Sequence, residues 1–434
     1  MEENVVEKKL RQIEKKLPPE KRFPQMTSMD IIDVLGTTIK KDDASKLVTF
    51  LCCLLAYTDD LQFNVSFNAP SSAGKSYIPI EVASYFPEND VVEYSVCSPT
   101  AFYHEDGKYN KERKGIEIDL SRKIIIFLDQ PTSALLQRLR SLLSHDKKEI
   151  TAKITDRNQK YGYRAKTVFI KGFPSVIFSS AGLRMDEQEM TRFLLLSPQL
   201  DQDKIKASIH EKIVKQSNVK AYREALAQNP LVTALRERLL AIKEALITDV
   251  IITNPDIVER RFLEGRKTLQ PRHSRDVSRV MSFICGFALF NLWHRKRSGN
   301  TIYANDYDVD EAFNLWAEIS ESQDYGVSPY LLDIYRNVIL PAYEAANKDI
   351  PEEVFEGIVE KAGVTRQEIL SMYRQVNGKH IDTYKLRMEI LPMLENAGLI
   401  YQEQDKNDKR KLLVYPIVQD KINSEEKVGV NTQK

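Results

Sequence analysis

The octet Ala69-Pro70-Ser71-Ser72-Ala73-Gly74-Lys75-Ser76 has the residue types and spacing of a phosphate-binding loop, with Ala in the first glycine position. A diphosphate needs a ring of backbone N–H donors, a Lys that reaches the outer phosphates and a hydroxyl for Mg2+. The octet offers all three where a helix would begin. The preceding Phe63-Asn64-Val65-Ser66-Phe67 alternates apolar and polar residues like a strand, which is the context such a loop requires. A second piece of chemistry lies downstream, where Lys123-Ile124-Ile125-Ile126-Phe127-Leu128-Asp129-Gln130 reads as a buried strand ending in a carboxylate. Nucleotide hydrolases hold Mg2+ between such an acid and the loop hydroxyl, so Asp129 and Ser76 are the metal-side pair and ATP with Mg2+ the expected ligand.

These residues need a scaffold to bring them together. At 434 residues the chain exceeds what one hydrophobic core usually serves, so two or three domains are expected. The apolar segments at 91–96, 124–128, 176–179 and 193–196 are separated by helical stretches, which predicts an α/β fold with a mostly parallel sheet. The boundaries expected are an N-terminal helical segment at 1–45, a nucleotide-binding core at 46–230 and a helical lid at 231–325. A linker helix with a second module follows at 326–419, then a disordered tail at 420–434. Lys and Arg number 63 against 62 Asp and Glu, so any nucleic-acid surface must come from local clustering of charge. Cys52, Cys53, Cys97 and Cys285 lack Cys-x-x-Cys spacing and read as free thiols in a reducing compartment. The two long apolar runs, 47–57 and 281–293, are too short to span a bilayer, and Met1-Glu2-Glu3-Asn4 lacks a basic leader. A soluble cytoplasmic protein with no membrane partner is expected.

Two basic segments stand out. Residues 149–155 and 163–170 both have strand character around a polar, Gly-containing stretch, which predicts a hairpin. Residues 147–166 hold seven cations (Lys147, Lys148, Lys153, Arg157, Lys160, Arg164, Lys166) and two acids (Glu149, Asp156), a net of +5, with Tyr161 and Tyr163 at the tip. Cations for phosphates and aromatic faces for bases suit a single-stranded DNA contact; the other reading is a solvated, charged hairpin. Near the C-terminus, a short helix at 352–361, a turn at Gly363-Val364 and a capping box at Thr365-Arg366-Gln367-Glu368 precede a helix at 380–396 with Pro392 as a kink. A ribbon at 399–402 and 412–415 completes a winged-helix pattern. Its loop carries Lys406, Lys409, Arg410 and Lys411 and is suited to duplex DNA, although many such folds bind protein instead.

In this order the parts resemble the AAA+ ATPases, specifically the branch with a pre-sensor hairpin that contains the MCM-type replicative helicases. A smaller relative, as encoded by plasmids, viruses or other mobile elements, fits the length. The resemblance spans residues 60–320 and implies a parallel-sheet ATPase core with a helical lid. It makes the end of Val176-Ile177-Phe178-Ser179-Ser180 similar to the sensor-1 position, where the family often has Asn, so that Ser179 or Ser180 would orient the attacking water. Thr191-Arg192-Phe193-Leu194-Leu195 resembles the family's Ser-Arg-Phe-Asp-Leu-Leu, whose Arg reaches a neighbouring subunit's γ-phosphate; Arg192 could instead pair with Glu187 or Glu189. Arg272-His273-Ser274-Arg275-Asp276-Val277, with the helix around Asp308, Glu311 and Ala312, is similar to the lid. It implies Arg275 as sensor 2, with Arg272 and Arg279 on nearly the same face.

Gln130 stands where the family usually has Glu, and an amide orients water but accepts a proton poorly. Either hydrolysis is slow, or Glu112, Glu117 or Asp119 reaches the water. The implied function is a DNA helicase that assembles as a homo-oligomeric ring, a hexamer, and drives single-stranded DNA through its pore. The alternatives are a nucleotide-switched DNA-binding or loader ATPase with slow hydrolysis, and a regulatory NTPase whose winged helix binds protein.

Overall fold

The computed structural model describes residues 17–156, 164–180, 192–266, 268–348, 362–406 and 408–417, with the side chains of Asp156 and Arg164 also outside the description. The start of the expected N-terminal helical segment, the expected helix at 352–361, the hairpin tip, the segment holding Glu187 and Glu189 and the tail at 420–434 fall wholly or almost wholly outside these residues. The chain divides into two compact units, Met1–Asp324 and Tyr325–Lys434.

The first unit is built on a five-stranded sheet. Its strands are β1 (Asn64–Asn68), β2 (Val91–Tyr94), β5 (Ile124–Phe127), β8 (Ser175–Ser180) and β9 (Phe193–Leu196), in the order β2-β5-β8-β1-β9. Every pairing is parallel, with Val65 opposite both Ile177 and Leu194. Ile124-Ile125-Ile126-Phe127 and Phe193-Leu194-Leu195-Leu196 are buried at every position, as strands covered on both faces must be. The helix preceding β1 explains part of that cover. After α1 (Ser28–Leu35), which opens with a Thr27/Asp30 capping box, α2 (Asp43–Leu55) is buried from Ser45 onward, including its Cys52-Cys53 pair. Burial pushes both thiols well above the usual cysteine range, which keeps them protonated and unreactive.

The basic hairpin belongs to a larger sheet than its own sequence suggests. β6 (Glu149–Asp156) and β7 (Arg164–Lys171) pair antiparallel, Glu149 opposite Lys171 and Asp156 opposite Arg164. β7 also pairs with β4 (Gly115–Asp119), and β4 with β3 (Lys108–Asn110), giving the order β3-β4-β7-β6. Gly172 makes the turn from this sheet to β8: its φ is +89°, and a Cβ there would lie 2.2 Å from Ser121 Oγ, so no other residue fits.

Helices α3 (Tyr77–Ala83) and α4 (Ser133–Leu143) follow the ends of β1 and β5. The stretch 201–270 is mostly helical, with α5 (Gln202–Ser217), α6 (Val219–Gln228), α7 (Pro230–Glu244) and α8 (Pro255–Leu263). The region read as a helical lid also contains a three-stranded sheet, of β10 (Asp249–Ile252), which precedes α8, and β11 (Lys296–Ser298) and β12 (Thr301–Ala304), which lie between the helices α9 (His273–Phe290) and α10 (Asp306–Tyr325). Strands of three or four residues leave little period-2 signal, so helix periodicity dominates the sequence there.

A buried ion pair joins the residue before β11 to α10. Arg295 donates from Nε to Asp308 Oδ2 (2.7 Å) and from Nη2 to Oδ1 (2.6 Å), and Asp308 also accepts from the Asn305 amide. Their side chains are 1% and 0% exposed. Asp308→Ala leaves a guanidinium buried without its carboxylate, and is expected to cost about 3–5 kcal/mol of stability. Urea unfolding of this variant checks it; a loss below about 1 kcal/mol, the worth of an exposed pair, would mean that water reaches Arg295.

The second unit begins with a helix of three parts, Pro329–Ile334, a π turn at Tyr335–Ile339 and Leu340–Ala346. The later helix repeats the pattern, with Thr383–Lys385, a π turn at Leu386–Ile390 and Leu391–Asn396. Each π turn ends one residue before a Leu-Pro pair, Leu340-Pro341 and Leu391-Pro392. A proline lacks the N–H and crowds the carbonyl four residues back, so the ladder widens there rather than breaking. Thr365 and Glu368 form the capping box of the helix Arg366–Asn377. Val364, read as part of a turn, instead belongs to β13 (Val364–Thr365), which pairs with β15 (Leu412–Pro416); β15 also pairs with β14 (Ile400–Gln404). A Cβ on Gly363 would lie 2.6 Å from the Tyr415 ring, so a glycine lets β13 approach β15.

Candidate nucleotide site

The phosphate loop leaves the C-terminal end of β1. Ala69 is buried and its amide donates to the Ser180 carbonyl (3.4 Å), which anchors the start of the loop to the end of β8. The chain then turns through residues 70–76 with Ser72 and Gly74 at φ of +66° and +91°, before α3 starts at Tyr77. Alternating left- and right-handed residues aim successive N–H groups into one concavity, the arrangement that binds anions. Lys75 is half-buried and donates from Nζ to the Pro70 carbonyl (2.9 Å). Ser71 and Ser72 are exposed.

The other strand ends meet the loop. Ser76 Oγ donates to the Leu128 carbonyl (3.3 Å), which joins the loop hydroxyl to the residue before Asp129. Asp129 is exposed and accepts the Gln130 amide on Oδ1 (2.9 Å). Ser180 donates from Oγ to Gln130 Oε1 (2.6 Å). Of the two candidate serines it is therefore Ser180 that touches Gln130; successive strand residues face opposite sides, and Ser179 is buried on the other. Lys75, Ser76, Asp129, Gln130 and Ser180 thus stand at the C-terminal ends of three adjacent parallel strands, β5, β8 and β1. Open α/β sheets bind ligands there, where successive strands switch sides, as β1 does between β8 and β9. The alternative carboxylates are occupied elsewhere. Glu117 bonds Asn110 and Arg113, and Asp119 accepts the Ser121 amide and pairs with Lys171, all around the four-stranded sheet; Glu112 is exposed on the turn between β3 and β4.

No protein-family model matches the chain, and no curated protein matches it in sequence. Among solved structures it is similar to a full-length MCM homolog from Methanopyrus kandleri, at 14% identity and a TM-score of 0.41, covering 68% of this chain and 60% of that one. The chain therefore aligns with about three-fifths of that homolog's length.

The arginines separate into two groups. Arg192, half-exposed, donates from Nε to Ser144 Oγ (2.6 Å) at the end of α4. Arg275 is exposed on α9. Its two neighbours on that face are committed to structure. Arg279 is buried, donating to Asp276 Oδ1 (2.8 Å) and to the Phe193 carbonyl (2.8 Å), while Arg272 donates to Asp276 Oδ2 (3.2 Å). Burial pulls the Arg279 pKa down to about 10 against the pull of Asp276, yet it stays charged at neutral pH. This Asp276 fork ties α9 to β9, a contact with no sequence signal beyond the spacing of its charges.

Of the DNA candidates, Lys153 is exposed on β6 and Arg164 opens β7, while Arg157 and Lys160 lie outside the described residues. At the base of the hairpin Glu149 is bound by Arg113 (2.7 and 2.5 Å), and Lys148 pairs with Asp59 and Asp60. In the second unit Lys406, Lys409 and Arg410 are exposed in the loop between β14 and β15, where Arg410 bonds Asp408. Tyr384 and Arg387, within the helix expected at 380–396, are exposed near the start of the helix over 383–396. Among the described residues no helix is long and apolar enough to cross a membrane.

Proposed function

We propose that this chain is an AAA+ ATPase of the pre-sensor hairpin branch that assembles as a ring, a hexamer, and moves DNA as a replicative-type helicase. The observation that carries this is the meeting of Lys75, Ser76, Asp129, Gln130 and Ser180 at one crevice of a parallel sheet. Lys75 would leave the Pro70 carbonyl to follow the β and γ phosphates. The Ser76 hydroxyl and the Asp129 carboxylate are hard oxygen donors that fit Mg2+, which would neutralise phosphate charge when bound. Arg192 would complete a neighbour's site, and Arg275 would reach the phosphates from the lid. The second unit is proposed as a winged helix, with the helix over 383–396 in the major groove and Lys406, Lys409 and Arg410 along the backbone. The ATPase rate with and without single-stranded DNA tests this reading, alongside mass in ATP and unwinding of a forked duplex. Stimulation, a ring mass and unwinding support it, and failure to bind ATP removes it.

A second reading, a nucleotide-switched DNA-binding or loader ATPase, is favoured by one detail. Gln130 replaces a proton acceptor, and its carbonyl is already engaged by Ser180. ATP-dependent duplex binding without unwinding would select it.

The hairpin has its own test. Replacing Lys153, Arg157, Lys160 and Arg164 together is expected to weaken single-strand binding and to flatten its salt dependence by about 0.7 in log-log slope for each phosphate no longer neutralised. Affinity titrations across salt concentrations check this, and an unchanged slope would make the hairpin a solvated surface.

A further inference from the structure

We propose that Ser180 is a positioning residue that fixes the Gln130 amide with its NH2 group toward the bound nucleotide, so that Gln130 donates to the terminal phosphate rather than activating water as a base. This rests on the ATPase reading above and assigns a role within that same site.

Gln130 has little freedom left. Pro131 follows it, and the residue before a proline is restricted to extended backbone conformations. The Gln130 amide is further held by Asp129 Oδ1 (2.9 Å), so the backbone is fixed from both sides. What remains is the side-chain amide, whose two ends are opposite in character: one accepts hydrogen bonds and the other donates two. The Ser180 hydroxyl donates to the accepting end, Oε1, at 2.6 Å. With Oε1 engaged, the donating end is the one left for a ligand.

Ser180 is placed to make this choice sensitive to nucleotide. It is 1% exposed, and its carbonyl accepts the amide of Ala69, the first residue of the phosphate loop. One residue on the middle strand, β8, therefore holds the loop on one side and Gln130 on the other. A donor at this point favours a triphosphate over a diphosphate, because the γ-phosphate supplies anionic acceptors that ADP lacks, and hydrogen bonds to charged groups are the stronger kind. The same amide is far too weak a base to take a proton from water. It would read the γ-phosphate and stabilise charge on it, which phosphoryl transfer rewards more than base catalysis.

The experiment measures affinity for Mg2+ with the non-hydrolysable β,γ-imido analogue of ATP, and separately with ADP, in the full-length wild type, Ser180→Ala and Gln130→Glu. Ser180→Ala frees the amide to turn its carbonyl to the phosphate, so analogue affinity is expected to fall about tenfold, the worth of one charge-assisted hydrogen bond, while ADP affinity stays within about twofold. Gln130→Glu puts a carboxylate against the γ-phosphate and is expected to lower analogue affinity at least as much, again sparing ADP. A Ser180→Ala protein in which both affinities are unchanged, or fall alike, overturns the proposal, since a purely structural serine would not separate the two nucleotides. So does a Gln130→Glu protein that binds the analogue as the wild type does. Wild type that binds neither nucleotide would remove the ATPase reading itself; wild type that binds both, with Ser180→Ala unaltered, removes only this role for Ser180.

Discussion

Lys75→Ala is expected to lose ATP affinity by more than about a hundredfold and to show no measurable turnover, on the basis of one flexible ammonium serving two phosphates with charge-assisted hydrogen bonds worth about 1.5–3 kcal/mol each. The loss should be one of binding and chemistry, not of folding. Lys75 is half-buried and its Nζ bonds the Pro70 carbonyl of its own loop. A change at such a position usually moves stability by no more than about 0.5 kcal/mol. Isothermal titration with ATP and a thermal melt check the two halves together. An unchanged ATP affinity would end the ATPase reading. A collapsed melting temperature would show instead that Lys75 holds the loop together, and the binding loss would then say nothing about phosphate.

The parts of the fold legible in the sequence are those with a local signal. Ile124-Ile125-Ile126-Phe127 and Phe193-Leu194-Leu195-Leu196 are short continuous apolar runs, as strands buried on both faces are, and the octet at Ala69 sits directly after an alternating stretch. Thr365 and Glu368 announce a helix start by spacing alone. Other features are fixed by partners far away in sequence. Lys108–Asn110 is short and polar, and becomes a strand because β4 lies beside it. Asp42 is buried by contacts with Gln199 and Lys204, and a left-handed Lys41-Asp42 pair ahead of α2 has no pattern that announces it. The site divides the same way. Ser76, Asp129 and Gln130 follow from chain order, whereas the choice between Ser179 and Ser180 depends on which way β8 presents its last residue. A shift of one residue reverses that choice.

The position of Arg192 makes a prediction that no single chain can satisfy. Arg192 immediately precedes β9, whose first residue, Phe193, lies opposite Asn64 at the start of β1. The phosphate loop begins at Ala69, five residues further along a parallel strand, and at 3.3 Å per residue the separation along the sheet is roughly 16 Å. That is beyond the reach of one side chain, so Arg192 sits at the opposite end of the sheet from its own loop, and the role proposed for it is at the site of a neighbouring copy. Its Nε is held by Ser144 Oγ, and Arg279 grips the adjacent Phe193 carbonyl, so the guanidinium is presented on a fixed base. Head-to-tail contacts of this kind close into rings when the rotation between copies allows. Arg192→Ala is therefore expected to bind ATP close to wild type and to hydrolyse it about a thousandfold slower, the lower end of what arginine fingers supply. Mixing it with Lys75→Ala should restore activity, because a mixed ring can place an intact Lys75 site of one copy against an intact Arg192 of the next. Steady-state rates of the two variants alone and combined measure this directly. Wild-type turnover in Arg192→Ala, or a mixture no faster than its parts, would leave Arg192 as a brace for α4 and the site as one that each chain completes alone.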